Sequence, residues 1–389
     1  MSEIIKQKQK KKILALCCTF YQLIVVIQLK KTLLYDNEII VLLTNDSSYA
    51  PSVVTNIKKE NLFSEVYIVD KTRFTKDKKL KYKRVPQFIR CIWGSRQFAN
   101  LKGQYFDEFL FFNWDMFTHW VFASITRRNR DIKVLAYEEG LISYERVCMY
   151  KNENARLNYR LVRAVRSTFG FPNMYDRIEG FFCFHPSLYK GEFRVYAIPH
   201  ISNEDKELKK LFCRVFSIDE STLSYNQKVI YFSSLLDTEG EGTAFGEVEI
   251  AKKIERIIGK DNFLVKLHPR DDKGRYASQG ISIDQNSRVP FEVIQLVHDF
   301  SDSIFITAMS GVVLTINTIL SNPPKILFVY DLYNAHSPFI EYWSEKYTEL
   351  IQNLKESGAL QTCTIIHDDE GLKKYLQTVR YNQSKKRCK

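Results

Sequence analysis

Three short segments of this 389-residue chain carry side chains whose types and spacing could do chemistry. The first, Tyr137-Glu138-Glu139-Gly140, follows the apolar run from Ile132 to Ala136. Adjacent carboxylates at a strand end would crowd like charge, which raises the pKa of one and makes a general base useful near neutral pH. Gly140 lets the backbone turn sharply beneath them. The second, His268-Pro269-Arg270-Asp271, follows FLVKL, and a histidine fixed there by proline can donate to a phosphate and stabilise charge on a leaving group. The third, Met309-Ser310-Gly311, lies between IFIT and a helix starting at Val312. A serine N-cap, free backbone amides and the positive end of that helix would form an anion pocket. Glu292, behind Pro290 at a helix start, places an acid near the same strand ends, or answers only to the helix dipole. A second His-Pro pair, His185-Pro186, follows GFFCF outside the second half's strand pattern, so position and not the dipeptide carries the signal.

These positions matter because of the elements around them. The first half alternates strand 12 to 18, helix 20 to 34, strand 38 to 44, helix 51 to 60 and strand 65 to 69. A helix near Pro86 to Asn100, strand Glu108 to Asn113, helix Asp115 to Arg127 and strand Ile132 to Ala136 follow. Helical crossovers predict a mostly parallel sheet. Residues 141 to 200 are less regular, rich in aromatic and basic residues, and end with Pro199 in a stretch that looks like an interdomain connection. The alternation restarts at Lys228 to Ser233 and continues to a last helix near Gly371 to Val379. The fold expectation is α/β, two Rossmann-like domains facing across a cleft. Its predicted bounds are 1 to 195 and 196 to 380 for the two domains and 381 to 389 for a basic tail. In such sheets ligands bind beyond the carboxyl ends of the strands, where all three segments fall.

Charge narrows the partners. The net charge is +12, and the excess sits in three islands: Lys6 to Lys12, Lys71 to Arg84, and Lys385 to Lys389. A nucleic-acid protein spreads such charge along a docking face, so no nucleic acid is expected. Polybasic segments instead suit an anionic membrane surface. The run Ile13 to Leu29 is apolar enough to resemble a marginal membrane span, but polar interruptions favour a buried strand followed by a helix. The eight cysteines show no metal-ligand spacing and read as buried thiols of a reducing cytosol. No GxxxxGK[ST], GxGxxG, GxSxG, HExxH or D-x-D motif is present, so nothing in the sequence points to ATP hydrolysis or metalloprotease chemistry.

Together the segments resemble the bacterial sialyltransferases of lipooligosaccharide and capsule, glycosyltransferase family fifty-two, and more loosely the bacterial polysialyltransferases. Those families share an acidic-acidic-Gly motif, a His-Pro motif, and a Ser-containing motif some forty residues later. Here His268 and Ser310 are 42 residues apart. Cys18-Thr19-Phe20-Tyr21-Gln22 also looks like the lipooligosaccharide family's first strand-to-helix loop, with Thr19 and Gln22 lining the acceptor side or cleft.

The resemblance implies a fold of GT-B type, with an acceptor domain over 1 to 195 and a donor domain over 196 to 380. It implies inverting, metal-independent transfer of sialic acid from CMP-sialic acid, a donor substrate and no cofactor, to a terminal sugar such as galactose of a surface glycan. It implies Glu138 as general base with Glu139 and Gly140 as neighbours, and His268 as acid. The donor would be held by Pro269, Glu292, Ser310 and Gly311. Glu139 stays open as the base, since adjacent carboxylates titrate as a pair. Gly311 stands where a second hydroxyl residue is common in the family. The expected partners are a CMP-sugar donor, a glycan or glycolipid acceptor, an anionic membrane surface and a second copy of the chain. The expected location is the cytoplasm, peripheral on the inner face of the cytoplasmic membrane. Two rival expectations are a GT-B transferase with another nucleotide sugar, and a non-catalytic basic protein binding membrane or nucleic acid.

Overall fold

A computed structural model describes residues 10–44, 50–71, 84–148, 157–202, 204–223, 225–236, 246–268, 271–286, 289–315, 317–320, 322–333, 338–360 and 362–387. The chain divides into two compact units, one of residues 1–200 with 214–217, the other of 201–213 with 218–389.

The first unit grows from runs apolar on both faces, the pattern that parallel strands covered by helices require. Its strands are β1 (Lys12–Cys17), β2 (Glu38–Thr44), β3 (Glu65–Val69), β4 (Glu108–Phe111), β5 (Lys133–Tyr137), β6 (Ile178–Cys183) and β7 (Arg194–Ala197). They lie in the order 3-2-1-4-5-6-7, every pairing parallel. The order reverses between β1 and β4, which puts the crevice at the residues after Cys17 and Phe111. The second unit has β8 (Val229–Phe232), β9 (Phe263–Lys266), β10 (Ile304–Thr307), β11 (Lys325–Phe328) and β12 (Cys363–Ile365), in the order 12-11-10-8-9 and again parallel. Its order reverses between β8 and β10.

The segment Ile13 to Leu29 is β1 followed by the helix Phe20–Lys31 (α1), whose residues Tyr21 to Leu29 are all buried. A helix apolar on every side belongs in the middle of a structure, and Thr19 caps it by accepting from the Gln22 amide at 3.2 Å. Among the described residues no helix is long and apolar enough to cross a membrane.

Several expectations are corrected. Residues 141 to 200 are more regular than expected: they hold the helices Ile142–Cys148 and Leu157–Thr168 and the strands β6 and β7. Arg166 is 2% exposed. This buried arginine of the helix Leu157–Thr168 donates to the carbonyls of Cys91, Ile92 and Pro172 and to the Thr126 hydroxyl. The helix expected from Pro86 to Asn100 breaks after Trp93, where Gly94 adopts φ +75° and a Cβ would meet the Ser124 backbone at 2.7 Å. The last helix continues past Val379 to Arg387, so the start of the basic tail is helical. Lys11 and Lys12 are no tail either: Lys11 pairs with Glu108, and Lys12, the first residue of β1, pairs with Glu38 at 3.2 Å. Residues 1–9, 72–83 and 388–389 of the basic islands lie outside the described residues.

Candidate functional site

In the first unit the crevice is lined from the strand ends. Gln22 is fully buried and acts as a strut: it accepts the Cys18 amide at 2.5 Å and the Tyr137 hydroxyl at 3.3 Å, and donates to Asn113 beyond β4 at 2.7 Å. It ties together the two loops between which the strand order reverses. Thr19 stands above it and donates its hydroxyl to Glu139 at 3.2 Å. Beyond β3, Lys71 pairs with Asp115 at 2.7 Å, which commits the described start of the basic loop to an intramolecular bridge.

Glu138 and Glu139 leave the end of β5 in opposite directions, as successive strand residues do. Glu138 is 0% exposed. Its carboxylate accepts from Tyr144 at 2.5 Å, from the Phe184 amide at 2.9 Å and from Tyr21 at 3.3 Å. Burial pushes its pKa up to about 7, against the pull of those three donors. Glu139 is half-buried on the crevice side, and burial raises its pKa too, opposed by hydrogen bonds from Gln22 and Thr19 and by the positive charges of Arg146 and Lys71. The expectation of mutual like-charge crowding is therefore corrected. Each carboxyl is raised by its own desolvation, because the alternation separates them. Gly140 adopts φ +68°, the left-handed turn that glycine takes without strain.

GFFC is the end of β6, so His185-Pro186, which lies outside the second half's strand pattern, also follows a parallel strand. The His185 amide donates at 2.9 Å to the same Tyr144 hydroxyl that holds Glu138. The pattern IEGFFC was the available signal.

In the second unit the structure brings His268 and Ser310 to strand ends on either side of β8. His268 is half-buried and donates its amide to the Ser233 hydroxyl at 2.8 Å. Pro269 and Arg270 lie outside the described residues. Asp271 closes the turn, its amide on the His268 carbonyl at 2.9 Å and its carboxylate against Arg275 at 2.9 Å. Ser310 is half-buried and Gly311 exposed. The anion pocket expected there is corrected in two respects. The helix Val312–Thr315 is a single turn, too short for a substantial macrodipole. The amides of Met309 and Ser310 are already donated, to Ser234 at 2.8 Å and Thr307 at 2.9 Å. What remains for a ligand is the Ser310 hydroxyl and the backbone from Gly311 onward.

Glu292 is half-buried in the first turn of the helix Phe291–Val297. Burial raises its pKa, and the positive charge of Lys266 opposes the rise. Lys266 itself pairs with buried Asp284 at 3.0 Å. Ser233, Ser234 and Thr307, which hold His268 and the Ser310 turn, were missed from sequence. Their signal was weak, being hydroxyls at strand ends with no spacing of their own.

No family model and no curated protein matches the chain. Among solved structures it is similar to TcCGT1 in complex with UDP, at 11% identity over 97% of this chain and 92% of that one, with a TM-score of 0.50. The chain has a GT-B type fold. Two further likenesses are looser. One is to the UDP-GlcNAc 2-epimerase of Methanocaldococcus jannaschii, at 11% identity over 95% and 92% of the two chains with a TM-score of 0.49. The other is to Acinetobacter baumannii MurG, at 12% identity over 96% and 92% with a TM-score of 0.42. At 11% identity the likeness to TcCGT1 carries the fold alone.

Proposed function

We propose that the chain is a glycosyltransferase that moves sialic acid from CMP-sialic acid to a terminal sugar, galactose, of a surface glycan, with inversion and without a metal. One observation carries this reading: a GT-B type chain places a half-buried carboxylate at the crevice of its first unit, and a histidine with a serine hydroxyl at the crevice of its second. In this reading Glu139 takes the proton of the acceptor hydroxyl. The base role that the family resemblance gives Glu138 passes to its neighbour, because Glu138 is sealed behind three hydrogen-bond donors while Glu139 faces the crevice. Thr19 holds Glu139 in place through its hydroxyl.

His268 and the Ser310 hydroxyl receive the departing phosphate. A nucleoside monophosphate carries less charge than a diphosphate, so a histidine and fixed dipoles can stabilise it as it leaves. Attack opposite the leaving group gives inversion. Glu292 at the head of its helix would accept from the nucleotide ribose.

A second reading takes a UDP-sugar as donor. The favouring observation is that the structure at TM-score 0.50 was solved in complex with UDP. The deciding experiment incubates the purified protein with CMP-sialic acid, a galactose-terminated oligosaccharide and a chelator, and follows CMP release and product mass. Chelator-resistant transfer is the expected result. Absence of both CMP release and a thermal shift with CMP, together with a shift with UDP, would move the assignment to the second reading.

A further inference from the structure

We infer that Ser233 and Ser234 are positioning residues that set His268 and Ser310 relative to each other, with Glu247 clamping the turn that carries them. The inference rests on the reading of His268 and Ser310 as the groups that receive the donor phosphate.

The two serines sit where the central strand β8 ends. Ser233 reaches to one side and accepts the His268 amide, beyond β9, at 2.8 Å. Ser234 reaches to the other and accepts the Met309 amide, beyond β10, at 2.8 Å. A third hydroxyl completes the array. Thr307 gives its single proton to the Phe232 carbonyl at 2.9 Å, so its 3.1 Å contact with Ser234 requires Ser234 to be the donor. The Ser310 amide then donates to Thr307 at 2.9 Å. Consecutive residues thus hold the turns on both sides of the point where the strand order reverses. They do so through backbone amides, without using the His268 or Ser310 side chains.

The turn after them is held in a costly shape. Leu235 has φ +66°, left-handed for a residue with a Cβ, and such a conformation persists only where the surroundings enforce it. The enforcing group is Glu247, 0% exposed, on the helix Gly246–Ile258. Its carboxylate accepts the Ser234 amide at 2.7 Å and the Leu236 amide at 3.2 Å, one on each side of Leu235, and the Tyr231 hydroxyl at 3.4 Å. A buried carboxylate spanning a strained leucine at the ligand end of a sheet suits a turn whose shape matters to what binds there.

The test uses the full chain as Ser233→Ala, Ser234→Ala and Ser234→Thr. Three readouts are taken: hydrogen exchange at the Met309 and Ser310 amides, calorimetric affinity for CMP and separately for UDP, and turnover with CMP-sialic acid. Loss of one hydrogen bond predicts exchange at Met309 and nucleotide dissociation each about tenfold faster or weaker in Ser234→Ala. The melting temperature should stay near that of wild type, and Ser234→Thr, which keeps the hydroxyl, should recover both readouts. In turnover Ser234→Ala raises the donor KM, while Ser233→Ala, acting through His268, lowers kcat. Unchanged Met309 exchange and unchanged nucleotide affinity in Ser234→Ala would overturn the inference. If wild type binds neither CMP nor UDP, the donor reading fails, and the exchange data alone decide: faster exchange in Ser234→Ala upholds the positioning of the Met309 turn by Ser234, and unchanged exchange ends it.

Discussion

Glu138 and Glu139 are adjacent in the chain yet answer to different neighbours, the first to Tyr144 at 2.5 Å and the second to Thr19 at 3.2 Å. The alternation of a single strand end divides one acidic motif into a sealed carboxyl and an accessible one. The division has consequences that can be measured separately.

Removing the accessible carboxylate should remove the proton acceptor. Glu139→Gln is expected to lower kcat by about 10²- to 10⁴-fold, the usual range for a general base, with donor affinity unchanged. Glu138→Gln should retain most of the turnover. The acidic limb of the wild-type pH profile should lie above the ordinary carboxylate range, because burial raises the Glu139 pKa and the ionised form is the active one. Equal loss in the two variants would reject the division of roles.

The sealed carboxyl should instead appear in stability. Burial holds Glu138 protonated up to about pH 7, whereas an unfolded chain loses that proton near 4.5. The folded state therefore binds the proton more tightly, and stability falls as pH rises from about 4.5 to 7, then levels off. Glu138→Gln keeps an acceptor for Tyr144 and Phe184 and a donor for Tyr21, and it removes the ionisation. Denaturant unfolding should find it equal to wild type at pH 4.5 and more stable at pH 8, by roughly 3 kcal/mol at most. A constant difference across that range would contradict the burial account.

Donor binding offers a test without turnover. CMP at a hundredfold its dissociation constant should stabilise the protein by about 2.7 kcal/mol. His268→Ala should need about tenfold more CMP for the same thermal shift, the loss expected for one charge-assisted contact. Equal shifts for wild type and variant would remove His268 from the phosphate site.

Arg166 is held by four oxygens, none of them on a carboxylate, and burial lowers its pKa to about 10, so it remains charged at neutral pH. Arg166→Met would leave buried carbonyls without a donor. The expected cost is about 3 kcal/mol of stability, read by denaturant titration, with CMP affinity retained because the residue lies in the first unit.

Most of the strands were legible because parallel strands covered on both faces read as unbroken apolar runs, as Ile39 to Leu43 and Ile13 to Cys17 do. β6 and β7 were not legible. Glu179 and Gly180 interrupt the first, and in the second Arg194 and Ala197 are exposed at the sheet edge. At the site, the residue types at Glu139, His268 and Ser310 were readable, but which carboxyl faces the crevice was not. That depends on whether Tyr21, Tyr144 and Phe184, far apart in sequence, converge on the preceding residue. The hydroxyl array was invisible for the same reason: Ser233, Ser234 and Thr307 acquire meaning only when β8, β9 and β10 lie side by side.

The pairing of β1 with β4 sets Ile13 against Glu108. As the chain leaves the ribosome, β1 can find β2 early, but its other edge stays open until the whole stretch through Phe111 has emerged. Closing so distant a pair is slow, and an uncovered apolar edge invites association with other chains in the interval. For this protein, yield in a cell should depend on synthesis rate and temperature more than on the stability of the finished fold.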